Sequence, residues 1–579
     1  MQTKRFQVYQ APKKCINNTF QLRVLTKKNI KTLKNLECEE IPIGDDDFSD
    51  SRITEGPRLA KLLKRNKLLS SFKHINYSHK PEKCLPIFPA LKNLRSLSTF
   101  HLKFSNDQSF KPQISQAFTL CTKNLKHLAN LDCSLDRSVT SPIKSLQTLH
   151  FIAPLHSLSR LSLRFHSTLW LTNKSWSTFS YHVPHLTSLT SLSLNLSYAK
   201  GFTQTSLRET FLSLSKLPLL TSFGLKAYGS ELLDFLTLIF LFKNLQSLSN
   251  FQDLTLSLWN CNRLKFNEKE PLAIGLGLLN PSSFRKLSLE FYPNFSDFDL
   301  SELLIVIQRF SSLKHLSLGF SKHTQITSKS FSGLPATLAQ FASLVILKLL
   351  LSPKIETGSF FEVISLYLKD LKELVSLTLD TWSSLTIDNI GIQLLCSQFP
   401  SLPKLQHLDL NLGRDSRLDE KCIESMSQAL LKLTDLKSLH LDCRVDENYM
   451  DSSIFSDLIK SVGCLTHLRK LGLSLGGYID LKKEMVETVT ASLKSLNCLA
   501  ELYLNFDMRC TKDEIGKQFK NLISSLESQE ALIEVFIVIP SFTENYPFRG
   551  DQSFMDLVNR VENGPKKFHI YGDLTKFVK

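Results

Sequence analysis

One five-residue segment has the residue types and spacing of a nucleophilic serine. The segment Gly472 to Gly476 reads GLSLG, the G-x-S-x-G pattern in which α/β-hydrolases hold their catalytic serine. That chemistry requires the serine on a sharp turn between a strand and a helix. Ser474 instead falls within an alternating apolar pattern, between Leu473 and Leu475. We therefore predict that Ser474 lies in the middle of a strand and is not a nucleophile.

Four histidines share a pattern that could bind a metal ion, because imidazole is a common zinc ligand. Each takes the third position of an L-x-H-L segment: His127, His315, His407 and His467. Lysine, serine or arginine take this position in other copies of the segment, which indicates a polar turn residue. The chain also lacks the G-x-x-x-x-G-K-S/T, G-x-G-x-x-G and H-E-x-x-H motifs. We predict no enzyme, no metal site and no cofactor.

The elements that hold these residues are copies of one repeated unit. In Ser401 to Leu412, SLPKLQHLDLNL, leucines recur first at every third residue and then at every second, which predicts a tight turn that leads into a half-buried strand. The same switch returns along the chain at intervals of 29 to 33 residues. The first apolar residues of the predicted strands, called leaders below, are Phe100, Leu131, Leu161, Leu192, Phe223, Leu254, Leu287, Leu316, Leu347, Leu377, Leu408, Leu439, Leu471, Leu502 and Val535.

Most units approach L-x-x-L-x-x-L-x-L-x-L, which resembles the leucine-rich-repeat family and, at this unit length, its ribonuclease-inhibitor-like class. The resemblance implies an α/β solenoid, a curved horseshoe with parallel β-strands on the concave face and α-helices on the convex face. Residues 86–540 would form an array of about fifteen units of about 31 residues. Residues 1–85 would be an N-terminal cap with degenerate repeats, and residues 541–579 a C-terminal cap.

The chain departs from the family pattern at one offset. Many members keep Asn or Cys five residues after each leader, which forms a ladder of equivalent residues along the array. This chain has no such Asn or Cys ladder at that offset. The alternation instead continues one step further, through Phe165, Leu196, Leu258 and Leu412, which predicts longer strands.

The resemblance also implies which side chains bind a partner, because the strand residues between the leucines line the concave face. We expect partner contacts from a set of charged residues and histidines: His101, Lys103, Arg160, Arg164, Lys226, His315, Asp380, His407, Asp409 and Asp442.

A row of aromatic residues forms a second candidate surface, on one rim of the array. Tyr228, Trp259 and Tyr292 share one offset in three consecutive repeats, and Trp170 and Trp176 follow an earlier strand. Exposed Trp and Tyr are common anchors of protein interfaces. The alternative is that these rings pack inward and fill the space left by the missing Asn ladder.

Charge is distributed unevenly along the chain, whose formal net charge is +16. Residues 1–250 carry 34 Lys and Arg against 15 Asp and Glu, hence +19, and the remainder carries −3. This asymmetry favours an acidic protein partner near the N-terminal half, or nucleic acid. Twelve scattered cysteines with no C-x-x-C pair indicate reduced, buried thiols in an intracellular protein. We expect a cytoplasmic monomer without a membrane anchor, with the nucleus as the other compartment to consider.

These observations lead to one principal functional hypothesis and three competitors. We expect a non-catalytic scaffold for protein–protein interaction that binds through the concave face and one rim. The alternatives are a substrate receptor of a ubiquitin ligase of the F-box and leucine-rich-repeat type, RNA binding through the basic N-terminal third, and GTPase activation by a rim of the repeats.

Overall fold

A computed structural model describes most of the repeat region. The residues described are 6–9, 35–40, 60–61, 63–64, 68–76, 85–104, 112–135, 149–165, 171–258, 261, 271–291, 295–320, 324, 326–327, 331, 333–351, 357–381, 389–412, 418–445, 452–509, 515–538 and 567–571. The chain divides into two compact units, Met1–Lys286 and Leu287–Lys579. The sequence period runs through this boundary without a break, so it does not indicate the division.

The first unit contains a parallel sheet that grows by one strand per repeat. Its strands are Phe6–Tyr9, Asn35–Glu40, Ser71–Asn76, Thr99–Phe104, Asn130–Leu135, Arg160–Arg164, Ser191–Asn195, Ser222–Lys226 and Asp253–Ser257. Each strand from Asn35–Glu40 onward pairs in parallel with the next. Phe6–Tyr9 pairs antiparallel with Asn35–Glu40. The leaders stand beside one another across the sheet, as in Leu161, Leu192 and Phe223.

The second unit repeats this arrangement. Its strands are Lys286–Phe291, His315–Phe320, Ile346–Leu350, Ser376–Asp380, His407–Asn411, Ser438–Val445, Lys470–Asp480, Glu501–Arg509, Glu534–Val538 and Lys567–Tyr571. Parallel pairing runs from His315–Phe320 to Lys567–Tyr571. The segment KFHIY near the C-terminus thus supplies the last strand of this series. Within the described residues each unit is an α/β solenoid, and the predicted fold class is confirmed.

Helices alternate with the strands in both units. The α-helices of the first unit are Ile87–Leu91, Pro112–Thr122, Asn173–His182, Gln204–Leu214, Phe235–Gln246 and Pro271–Gly277. Those of the second are Asp297–Ile307, Leu334–Leu338, Thr357–Leu368, Asn389–Gln398, Glu420–Leu430, Ser456–Gly463, Lys483–Ser495 and Ile515–Ser528. Short 3-10 helices occur at His150–Ile152, Val183–His185, Phe399–Ser401 and Ser452–Phe455.

Side-chain caps begin several of these helices. Thr172, Thr203 and Asp234 each accept a hydrogen bond from the backbone N–H three residues later. Each such bond satisfies a donor that the first turn of a helix leaves unpaired, which stabilises the helix start by about 1 kcal/mol. These three caps therefore help to fix where their helices begin, and with it the side chains that face the core.

The core lies between the helices and the leucine-bearing face of the sheet. The leaders Leu161, Leu192 and Leu408 are at most 1% exposed. Phenylalanines extend the contact between strand and helix, as in Phe211 against Phe223, whose ring centroids are 6.3 Å apart. The apolar run Phe235–Phe242 lies in a helix that buries Leu238 and Leu241, while Leu236 is 63% exposed.

Backbone hydrogen bonds replace the missing Asn ladder at the ends of the strands. The N–H groups of Phe165, Leu196 and Leu412 donate to the carbonyls of Asn195, Lys226 and Asp442 in the following repeats, at 2.7 to 2.9 Å. The pairing thus continues one residue beyond the short strands, as the extended alternation predicts.

A ladder of hydroxyl groups, absent from the sequence-based description, lies where the strands of the first unit begin. Ser159, Thr190 and Thr221 donate to the carbonyls of Ala129, Ser159 and Thr190, each one repeat earlier, at 2.9 to 3.1 Å. The second unit has Lys437 and Arg469 at this offset.

Candidate interaction surface

Most strands of each unit alternate partly exposed and buried side chains, although His315–Phe320 is buried along most of its length. In Arg160–Arg164 the first, third and fifth residues are exposed or half-buried, while the leucines between them are buried. We call the face formed by these partly exposed residues the open face of each sheet. All ten charged residues and histidines expected at the concave face lie at such positions. Arg160, Arg164, Lys226 and His407 are exposed, and His101, Lys103, His315, Asp380, Asp409 and Asp442 are half-buried.

Cations occur at every second strand along the open face of the first unit. The strand register aligns Lys103, Ser134, Arg164, Asn195 and Lys226 in one row across consecutive strands. Since neighbouring strands lie about 4.8 Å apart, the three cations repeat at about 10 Å. Ser134 and Asn195 separate the three cations, so the row consists of positive charges alternating with small polar side chains.

One carboxylate stands among these cations. Asp132 Oδ2 lies 3.2 Å from Arg164 Nη2 and 3.5 Å from His101 Nδ1. Burial of this carboxyl raises its pKa, but the hydrogen bond with His101, the Arg164 charge and the Ser162 hydroxyl outweigh burial, so the pKa of Asp132 is below its usual value. Its other oxygen, Oδ1, is buried without a hydrogen-bond partner. Asp132 therefore orients His101 and Arg164 and offsets part of their charge.

Acidic residues take the equivalent row in the second unit. Asp380, Asn411 and Asp442 are aligned in register, so two carboxylates flank the Asn411 strand. Asp409 lies on that strand, and its Oδ1 is 2.7 Å from His440 Nδ1 on the next strand. The hydrogen bond with Asp409 raises the pKa of His440; burial opposes this, and the charges of Asp409, Asp442 and Asp380 add to the increase.

The next strand leaves room for the imidazole of His440. Gly472 is aligned with His440, and a Cβ atom placed on this glycine would overlap the imidazole ring. At Gly224, the same offset in the first unit, an added Cβ atom would come no closer than 3.4 Å to its nearest neighbour, Ser193. Gly472 is thus a close-approach glycine that permits the His440–Asp409 pair, a contact that the sequence analysis did not predict.

The predicted rim aromatics are only partly described. Trp170, Trp259 and Tyr292 lie outside the described residues. Tyr228 is half-buried, and its ring meets that of Tyr198 edge to face, with centroids 4.8 Å apart. Burial and a hydrogen bond to Tyr228 raise the pKa of Tyr198 to about 12.

The backbone beneath this tyrosine pair has an unusual conformation. Tyr198 has φ +55° and Gly229 has φ +58°. A left-handed conformation is uncommon for a residue other than glycine. The backbone N–H of Tyr198 donates to the carbonyl of Tyr228 at 2.6 Å, which ties the two turns together. Tyr198 lies six residues after its leader, whereas the sequence analysis considered only the residues five positions after each leader. The pairing of Tyr198 with Tyr228 was therefore not predicted.

Trp176 packs in the core, which corrects its place among the rim residues and agrees with the alternative that these rings pack inward. It lies inside the helix Asn173–His182, with no exposed surface, and its indole stacks on Phe202 with centroids 4.5 Å apart. The cap at Thr172 begins the helix early enough to turn position 176 toward the core. Trp176 therefore packs in the core and is not an exposed anchor.

The serine of the G-x-S-x-G segment and two cysteine thiols lie in the secondary structure and core of the repeats. Ser474 lies within the strand Lys470–Asp480, as predicted, and its Oγ accepts a hydrogen bond from Asn505 at 3.2 Å. Burial raises the pKa of the thiols of Cys121 and Cys261 to about 12. Within the described ranges, no group of three or more His, Cys, Asp or Glu residues is arranged to hold a metal ion.

Comparisons of the sequence with known proteins assign no family. No protein-family model matches the chain, and no similar curated protein was found. In the part of the chain that the structure describes, no helix combines the length and apolar character needed to cross a membrane.

Proposed function

We propose that this protein is a non-catalytic interaction scaffold, and that it binds a protein partner through the open faces of its sheets in the manner of a leucine-rich-repeat horseshoe. The main observation in support of this proposal is the register in which the strands align their open-face residues. Parallel strands in which the leaders align repeat the same exposed position at a fixed spacing, so charges at that position form ordered rows. A row of this kind can contact an extended surface of a folded partner.

The charge of the open face supports an acidic partner for the first unit. Lys103, Arg164 and Lys226 form the basic row, and Arg160 is exposed beside it. Complementary charge increases association rates and excludes partners of the wrong sign. Asp380, Asp409 and Asp442 give the second unit the opposite character, which suits a basic segment.

A protein partner is favoured over single-stranded RNA. RNA-binding surfaces of this type combine a basic groove with aromatic rings on which bases stack. At the described open-face positions of the strands from Asn130–Leu135 to Asp253–Ser257, the side chains are small, polar or charged, and none is aromatic. The eight cysteines in the described residues form no disulfide and six of them are buried, which also supports a reducing compartment such as the cytoplasm.

Affinity capture from nuclease-treated lysate with a charge-neutralised variant tests this proposal. The variant combines Lys103→Gln, Arg160→Gln, Arg164→Gln and Lys226→Gln. Its matched control removes four positive charges outside the strands of the same unit: Lys123→Gln, Lys126→Gln, Lys174→Gln and Lys216→Gln, all at exposed positions. Quantitative mass spectrometry compares what each protein retains.

We expect the control to retain the wild-type set of bound proteins and the open-face variant to lose its acidic members. Equal retention by both variants would contradict the open face as the binding surface. The wild-type capture is repeated from untreated lysate, and binding seen only there would favour RNA as the primary ligand.

A further inference from the structure

A pair of histidines in the first unit lies away from the open face. His150 begins the 3-10 helix His150–Ile152, and His182 ends the helix Asn173–His182 one repeat later. His182 Nε2 lies 3.1 Å from His150 Nδ1, and the two rings meet edge to face with centroids 5.1 Å apart. Both side chains are half-buried, so solvent reaches the pair.

Two facing imidazole nitrogens hold each other only through a shared proton. In the observed geometry one nitrogen must carry a hydrogen and donate it to the lone pair of the other. Once that hydrogen has moved, by exchange with solvent, to the other nitrogen of its own ring, both facing nitrogens offer a lone pair and a metal ion can bind them. From this arrangement we propose that His150 and His182 form a two-imidazole binding site for a late divalent transition-metal ion such as Zn²⁺.

The distance between the nitrogens fits this coordination. Zinc binds imidazole nitrogen at about 2.0 to 2.1 Å, so two nitrogens 3.1 Å apart subtend an angle of roughly 100° at a shared ion. This value lies between the angles of octahedral and tetrahedral coordination. The histidines are therefore already spaced for chelation, and little rearrangement of the backbone is required.

The donor atoms also indicate which ions the site would bind. The site has no third protein ligand among the described residues, so water molecules complete the coordination shell. Imidazole selects zinc, copper or nickel, whereas magnesium and calcium prefer oxygen ligands.

The consequence of binding would be a link between consecutive repeats. The two histidines are 32 residues apart in sequence, about one repeat, and belong to neighbouring helical segments. An ion that binds only the folded arrangement stabilises it by mass action. A bound ion would thus crosslink the helical segments of two consecutive repeats and leave the open face accessible.

Isothermal titration of the full chain with Zn²⁺ in chelator-free buffer tests the proposal. The single variants His150→Gln and His182→Gln each remove one ligand. His156→Gln is the matched control, because His156 is exposed in the same region and its ring Nδ1 lies 3.4 Å from the carbonyl oxygen of His185. Circular dichroism of each metal-free variant verifies that the fold is retained.

We expect wild type and His156→Gln to bind one more equivalent of Zn²⁺ than either ligand variant, and to show a larger rise in melting temperature with Zn²⁺. Mg²⁺ should give neither effect. The same stoichiometry, affinity and melting shift in all four proteins would overturn the proposal, as would a wild-type chain that binds no Zn²⁺.

Discussion

His440 on one strand of the second unit is hydrogen-bonded to Asp409 on the preceding strand, with 2.7 Å between Nδ1 and Oδ1. The two residues are aligned in the parallel register, so the bond crosses the sheet almost perpendicular to the strands. Asp380 and Asp442 add negative potential around the imidazole. This pair makes one part of the open face sensitive to pH.

His440→Gln should destabilise the protein more at low pH than at high pH. Because Asp409 raises the folded-state pKa of His440 above its ordinary value of 6.5, the pair stabilises the fold fully below that value. This contribution disappears as the pH rises through the raised pKa. Urea unfolding of wild type and variant at pH 5.5 and pH 9 measures the difference. His467→Gln, at an exposed turn position, is the control, and a pH-independent effect of His440→Gln would contradict the expectation.

Gly472→Ala should be destabilising while Gly224→Ala is tolerated. The two glycines hold the same offset in their repeats, but only at Gly472 would the new methyl group overlap an imidazole, that of His440. Overpacking of this kind costs about 1 to 3 kcal/mol. Urea unfolding compares the variants. If Gly472→Ala costs no more than Gly224→Ala, the histidine is not confined as described.

Leu379→Ala and Thr378→Ala test the register of the sheet on adjacent residues. Leu379 is fully buried, so its truncation should cost about 2 to 5 kcal/mol. Thr378 is on the open face, where a substitution should change the free energy of unfolding by no more than about 0.5 kcal/mol. Equal effects in denaturant unfolding would show that the strand does not bury the predicted side.

Trp176→Ala and Tyr181→Ala separate core packing from surface exposure on one helix. The indole of Trp176 is enclosed by Phe165, Phe179 and Phe202, so its removal should cost about 3 to 5 kcal/mol. Tyr181 is 69% exposed and should be nearly neutral. Thermal and urea unfolding check both variants. A near-neutral Trp176→Ala would contradict the buried position of the indole.

The repeat period was sufficient to predict the buried side of each strand. A slip of one residue would turn every leucine outward, so the alternation around Leu408 and Leu410 determines the register. The pattern of hydrophobic residues could not predict His440 over Gly472 or Tyr198 against Tyr228, because both depend on contacts between repeats about 31 residues apart. The sequence left Trp176 between rim and core, because it did not show that the helix capped by Thr172 carries the indole against Phe202.

The ladder of hydroxyl groups shows a second limit of sequence reasoning. The repeat position of Ser159, Thr190 and Thr221 is taken by lysine or arginine in other repeats. The residue types at this position therefore give no sign of a hydrogen bond that recurs from repeat to repeat. Their common role becomes visible only when each hydroxyl is found against the carbonyl of the preceding repeat.

Site-specific photocrosslinking tests the central proposal most directly. A photoreactive amino acid is placed at Ser162, Ser193 or Thr255 on the open face of the first unit, and at Ser177 or Leu212 on exposed helix positions as controls. The crosslinked proteins are identified after nuclease treatment. We predict that partners are captured from the open-face positions and that crosslinking disappears when Lys103, Arg160, Arg164 and Lys226 are changed to Gln. Capture from the helix positions alone would contradict the proposal that the open face of the sheet binds the partner.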